Sequence, residues 1–285
     1  MPLNAAAVLA HRFTPVDATI TPRDALLYAL SLGLGRDPLD PVELPYVYEQ
    51  DLQVFPTLPV VLGHPLAWTT PGMQVNRQML VHGSQRLVLH RPLPVDVPLV
   101  AQNRVAEVLD KGADAGAVIV LERTLHVRDG GEHLATLEAA LFCRADGGFG
   151  GPRTAAYDFS PVPETPPDAR CSLPTAPGSA LLYRLNGDWN PLHADPAFAA
   201  GAGYPRPILH GLCTYGVAAH ALCRQYGFPE GRALRSIEAR FSRPMFPGET
   251  LEVEMWQRGD GAIAFRARAA ERGAVVLDRG LATFG

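Results

Sequence analysis

"ALLYRLNGDWNPLHAD", residues 180–195, is answered earlier in the chain by "ALLYALSLGLGRDPLD", residues 25–40. With a small gap, Asp37-Pro38-Leu39-Asp40 lies on Asn190-Pro191-Leu192-His193. The correspondence continues in order: "PVVLG" from Pro59 with "PILHG" from Pro207, then "HRPLPVDVPLVAQNRV" from His90 with "SRPMFPGETLEVEMWQ" from Ser242. Several matches in one order mark an internal repeat. Each copy ends in strand-like runs rich in alternating and β-branched apolar residues, "AVIVLERTLHV" and "HLATLEAALFC" in the first, "AIAFRARAA" and "AVVLDRGLATF" in the second. Each copy therefore reads as a helical segment, an irregular loop, a second helix and then several antiparallel strands, an α+β arrangement of helix on sheet.

Residues 144–179, rich in Pro, Gly and small polar residues, hold no sustained apolar period and read as a mostly extended connection. The expected organisation is a first repeat over 1–148, a linker over 149–179 and a second repeat over 180–285. In the first repeat Thr21 reads as a helix cap with Pro22 at the first helical position. In the second, Asp195 caps a helix beginning at Pro196, and the main helix runs from Leu212 to a stop at Gly227 in the left-handed conformation.

The totals bound the function. A chain of 285 residues with 47% hydrophobic and 19% charged residues can bury a substantial core. A formal charge of −4 gives no broad attraction to nucleic acid or an anionic membrane, so small-molecule or protein partners are expected. No apolar run approaches the roughly 20 residues that span a bilayer. The N-terminal stretch has a short apolar patch without a basic lead-in, so no signal peptide and a cytoplasmic location are expected. Cys143, Cys171, Cys213 and Cys223 form no Cys-x-x-Cys pair and read as buried thiols rather than a zinc site.

The two copies diverge where chemistry would sit: the second holds Asp188 and His193, and the aligned positions of the first do not. Pro191 between them argues for a loop that aims both side chains into one space. A carboxylate and an imidazole sharing one water form an acid–base pair, and Asn190 supplies an amide to hold that water or fix a ring. His210-Gly211 stands at the start of the main helix, where backbone N–H groups lack internal partners and Gly211 lets an oxygen approach closely. That combination suits water addition to a 2-enoyl thioester without a cofactor. Singly, each residue has a blander use: Asp188 as a cap, His193 as a structural hydrogen bonder, Gly211 as a packing glycine. An Asp/Asn/His metal site matches no standard motif, so no metal is expected.

"YRLNGDWNPLHADPAFA" followed by "PILHGLCTYG" resembles the hydratase-2 motif of the (R)-specific 2-enoyl-CoA hydratases, the MaoC-like dehydratases. "DALLYALSLGLG", "YVYEQDLQVFPTLPVVLG", "LVHGSQRLVLHRPLP", "VLDKG", "LFCRADGGFGG" and "ARFSRPMFPGETLEVEMW" extend the similarity, in order, to the hydratase-2 unit of peroxisomal multifunctional enzymes type 2. The resemblance implies a double hot-dog fold. It implies catalytic roles for Asp188, His193 and Asn190, a Gly211 amide for the thioester oxygen, and acyl-CoA contacts from His82, Gly83, Lys111, His210 and Phe241, with Glu49 as a further carboxylate. The implied substrate is a trans-2-enoyl-CoA, with coenzyme A as part of the substrate and no other cofactor, and a homodimer is allowed. Acyl-carrier-protein thioesters in a dehydratase of lipid synthesis, or a hot-dog thioesterase or acyl-CoA binding protein, stay open as alternatives.

Overall fold

The computed structural model describes residues 2–65 and 68–285, which form two compact units. The first comprises residues 1–18, 62–91 and 98–159; the second comprises 19–61, 92–97 and 160–285. The partition differs from the sequential halves expected from the repeat, because residues 19–61 pack along the main helix of the second copy.

In the first unit a short helix, α1 (Ala5–Leu9), packs on an antiparallel sheet. The strands are β1 (Val16–Thr19), β2 (Leu80–Leu89), β3 (Pro98–Gly112), β4 (Gly116–Val127) and β5 (His133–Cys143), in the order β1-β3-β4-β5-β2. Alternation is visible along β3, where Leu99, Ala101 and Val105 turn inward, and an irregularity in its pairing with β4 between Val105 and Glu107 brings Val108 to the same core. Val105 and Val108 meet Leu3, Val8, Met73, Ala117, Ile119 and Cys143 in one core. Among the described residues this unit has no second helix of the expected kind. Between residues 68 and 79 lie the 3-10 turns Pro71–Met73 and Arg77–Met79, where Pro71 lacks a backbone donor and Asn76 caps a new turn with its own side chain.

The second unit opens with α2 (Pro22–Ser31), held by the expected cap: the Thr21 side chain accepts from the Asp24 amide, and the Asp24 carboxylate accepts from the Thr21 amide. A four-residue turn, α3 (Leu44–Val47), follows. The 144–179 connection yields one strand that composition did not signal, β6 (Ala169–Pro174). After it come α4 (Ser179–Tyr183), α5 (Pro196–Gly201), capped by Asp195, and α6 (Gly211–Leu222). Strands β7 (Leu234–Phe241), β8 (Thr250–Gln257), β9 (Ile263–Ala269) and β10 (Ala274–Phe284) complete a sheet ordered β7-β10-β9-β8-β6. The β6 strand runs antiparallel to β8 from Ala169 opposite Met255 to Pro174 opposite Thr250, an edge position that tolerates its terminal proline.

Every residue of α6 from Cys213 to Leu222 is buried, the mark of a helix enclosed on all sides. One side lies on the sheet. Along another runs the 19–61 segment: the Cys213 thiol donates to the Ser31 carbonyl, Leu32 fills the space beside Gly216, and Glu43 binds His220 and Arg224. Positions 213, 216, 220 and 224 share one helical stripe. A Cβ on Gly216 would stand 2.6 Å from Leu32 Cδ2, so only glycine admits this approach.

The helix continues past Leu222 as a π turn, Cys223–Gly227. Gly227 is not left-handed as expected: its φ is −97°. It is glycine because a Cβ would meet Phe284 Cε1 at 3.1 Å and the Arg232 carbonyl at 3.2 Å. No helix among the described residues is long and apolar enough to cross a membrane.

Candidate active site

The loop between α4 and α5 is built from side-chain-to-backbone turns. Gly187 takes φ +113°, Asp188 Oδ1 accepts from the Asn190 amide at 3.2 Å, and Asn190 Oδ1 accepts from the Leu192 amide at 3.0 Å. Asn190 thereby caps the 3-10 turn Pro191–His193, and its carboxamide oxygen is committed to that turn. The blander reading of Asp188 is thus partly realised, because its carboxylate organises the loop it belongs to.

His193 is buried, and its Nδ1–H donates to the Ile208 carbonyl at 2.9 Å. That bond fixes the neutral tautomer and leaves the Nε2 lone pair as the acceptor. His210, also buried, donates from Nε2 to the Asp188 carbonyl at 3.3 Å. The two imidazoles stack with centroids 3.7 Å apart and planes 25° apart. Asp188, His193 and His210 each offer an atom within 4.8 Å of the others, so residues 22 apart in sequence converge on one small volume.

The electrostatics keep both rings uncharged. Burial lowers the His193 pKa, opposed by its bond to Ile208 and by the Asp188 charge, with Arg184 lowering it further. Burial, followed by the repulsion of His193, pushes His210 down to about 4. Three such donors could in principle invite a cation. Stacked rings, however, direct their in-plane lone pairs along nearly parallel lines rather than at one point, and one nitrogen of each ring already serves a carbonyl. The arrangement fits hydrogen bonding to a small ligand better than chelation.

Gly211 is the first residue of α6, so its amide has no partner within the helix and sits at the positive end of the helix dipole. Phe241, at the end of β7, closes on the same spot: a Cβ on Gly211 would meet Phe241 Cε1 at 3.2 Å.

Three of the expected residues belong to the first unit. His82 and Gly83 lie on β2 at an irregularity in its pairing with β5. Lys111, on β3, donates to the Arg153 carbonyl, and Arg153 Nη2 donates back to the Lys111 carbonyl at 3.0 Å. The neighbouring Asp110 accepts from the amides of Gly112, Gly148 and Gly150, which draws its carboxyl down to about 2. The lone lysine therefore ties down the start of the connection.

Glu49 is exposed in the loop after α3. The buried carboxylate is Glu43, 1% exposed, which accepts from His220 Nε2 at 2.5 Å, Arg224 Nη1 at 3.1 Å and the Gly35 amide at 2.8 Å. Sequence reasoning passed over this node; its one signal is a glutamate among prolines and apolar residues in "DPVELPY".

Comparison with known proteins identifies the family of the chain. Residues 19–145 match the family model described as the MFE-2 hydratase 2 N-terminal domain, and residues 158–278 match the MaoC-like domain. The chain is 39% identical over 282 residues to the enoyl-CoA hydratase ChsH3 of Mycobacterium tuberculosis, covering 97% of each. It superimposes on a MaoC-like dehydratase from Phytophthora capsici with a TM-score of 0.88 at 33% identity, over 99% of this chain and 98% of the other. A Mycobacterium tuberculosis protein described as a double hotdog fold matches at TM-score 0.55 and 18% identity, over 96% of each chain, a likeness of fold alone.

Proposed function

Given that the chain belongs to the MaoC-like dehydratase and hydratase-2 family, with its double hot-dog fold, we propose that it reversibly hydrates trans-2-enoyl-CoA to (R)-3-hydroxyacyl-CoA, with Asp188 and His193 acting on one water. The chain is a hydro-lyase by its family. The observation that carries the finer reading is the His193 tautomer: Nδ1–H is given to Ile208, so the neutral ring keeps Nε2 as a free acceptor, and one ring nitrogen lies within 4.8 Å of an Asp188 carboxylate oxygen.

A water donating one O–H to His193 Nε2 and the other to Asp188 presents its lone pair to C3 of the enoyl group. As the C3–O bond forms, one proton passes to His193 and the C2–C3 π electrons move toward the thioester oxygen. The Gly211 amide receives that charge, a contribution of about 3 kcal/mol for one such donor. The Asp188 charge favours the transient imidazolium, which then returns its proton to C2. Atoms balance without a cofactor: hydroxyl on C3, hydrogen on C2. Phe241 and the Gly211 backbone would hold the thioester carbonyl in place.

The test is to replace Asp188 and His193 separately by alanine and follow loss of the conjugated enoyl-thioester absorbance. Each variant should lose roughly a thousandfold or more in kcat with KM little changed. Retention of a tenth of the rate by either would refute the assignment. Thiol release, measured in the same cuvette, would instead point to a thioesterase.

A further inference from the structure

Arg184 is an unexpected charge in the second unit. It follows directly on α4, opens the 3-10 turn Arg184–Asn186 and precedes Asp188 by four positions. The side chain is half-buried, with its Cζ 4.6 Å from the centre of the Trp189 ring and Nη2 donating to the Trp189 carbonyl at 3.4 Å. Its Nε is buried without a partner. Among the described residues no carboxylate lies within ion-pair distance of it, whereas Arg266 and Arg268 share Glu254 and Arg272 is paired with Glu249. A guanidinium so placed gives up hydration without gaining a counter-charge, which works against the fold unless the charge serves elsewhere. Trp189 stands between Asp188 and Asn190 and is itself 57% exposed, so the stack grips the middle of the site loop rather than filling a core.

We propose that Arg184 is a positioning residue of this site: acting through Trp189 it fixes the Asp188–Asn190 turn and holds an unpaired positive charge beside the loop that carries His193. The catalytic part of this rests on the hydration reading. His193 stacks on the neutral His210 and lies near the Asp188 carboxylate, His210 also meets the buried Tyr183 ring, and the Arg184 charge acts on both imidazoles from beside Trp189. Asp188 favours the imidazolium, and Arg184 is the positive group set against it. Removing the positive charge therefore makes His193 easier to protonate, and the acid limb of the rate profile moves to higher pH.

The experiment pairs a proton NMR titration of the His193 ring with kcat/KM against pH on an enoyl-CoA, for wild type, Arg184→Gln and Arg184→Lys. In Arg184→Gln the midpoint and the acid limb should both rise by about 0.5 to 1 pH unit. Arg184→Lys keeps the charge, so its midpoint should stay within about 0.3 unit. Its kcat should fall roughly threefold or more, because an ammonium neither stacks flat on the indole nor sets a planar N–H toward the carbonyl at the same time. An unmoved midpoint in Arg184→Gln, or equal rises in both variants, overturns the proposal. A wild type that turns over no enoyl thioester sinks the hydration reading alone, since the titration still reports the charge. Should Arg184→Gln not fold, Trp189→Leu decides: without the ring to hold it the guanidinium swings to solvent and the midpoint must rise, and an unchanged midpoint rejects the idea.

Discussion

Gly211 and His193 show how single positions carry two constraints at once. Gly211 begins α6 and faces Phe241 so closely that a methyl group would press on the ring edge, which must yield by a few tenths of an ångström. Gly211→Ala should cost little stability, because alanine suits a helix better than glycine by up to about 1 kcal/mol. If the amide serves the thioester oxygen, kcat should nevertheless fall roughly tenfold as that amide shifts; steady-state kinetics beside a thermal melt checks this, and an unchanged kcat argues against the amide's role. The types Asp188, Asn190, His193 and Gly211 were legible in the sequence because turn chemistry and helix starts are local. The His193 tautomer was not, because its partner is the carbonyl of Ile208, on a different segment of chain.

At the scale of elements, the Glu43 node holds the 19–61 segment to α6. Burial alone would raise the Glu43 carboxyl, but the hydrogen bond and charge of His220, the Gly35 amide and Arg224 outweigh it and hold the group below the usual carboxylate range. A depressed carboxyl contributes stability above its unfolded value of about 4.3 and loses that contribution as pH falls through the lower folded value. Glu43→Ala leaves His220 and the half-exposed Arg224 without their acceptor and should destabilise the chain by about 3 kcal/mol near neutrality. Urea unfolding at pH 7 and at pH 4 measures it: the gap between variant and wild type should narrow toward the acid end, and a pH-independent gap would mean that packing, not charge, accounts for the loss. The α2 cap and the α5 cap were readable because their donors and acceptors lie within three residues. The helical run after α6 does end at Gly227, through its π turn, but not in the left-handed conformation expected there, since Gly227 answers to Phe284 and Arg232 rather than to its own helix.

For the molecule as a whole, the two copies of the repeat have taken different forms. The first unit carries 3-10 turns where the second carries α6, and Phe13, Trp68, Val75 and Leu121 remain only partly buried against its core. If the freed first copy makes room for a longer acyl chain in a mostly apolar pocket, turnover should persist beyond about eight carbons. Decenoyl-CoA should then match or exceed crotonyl-CoA in kcat/KM, and a sharp preference for the four-carbon substrate would rule this out. The sequence by itself determined the α+β class, the repeat, the polar loop and the family, because all are written in local periodicity and contiguous motifs. Only the tertiary structure decided that residues 19–61 pack with the second copy, that Glu43 rather than Glu49 is the buried carboxylate, that residues 169–174 add an edge strand, and that Arg184 sits unpaired over Trp189. Each of those depends on which surfaces meet after folding, and burial and charge pairing are properties of that meeting rather than of any one stretch of chain.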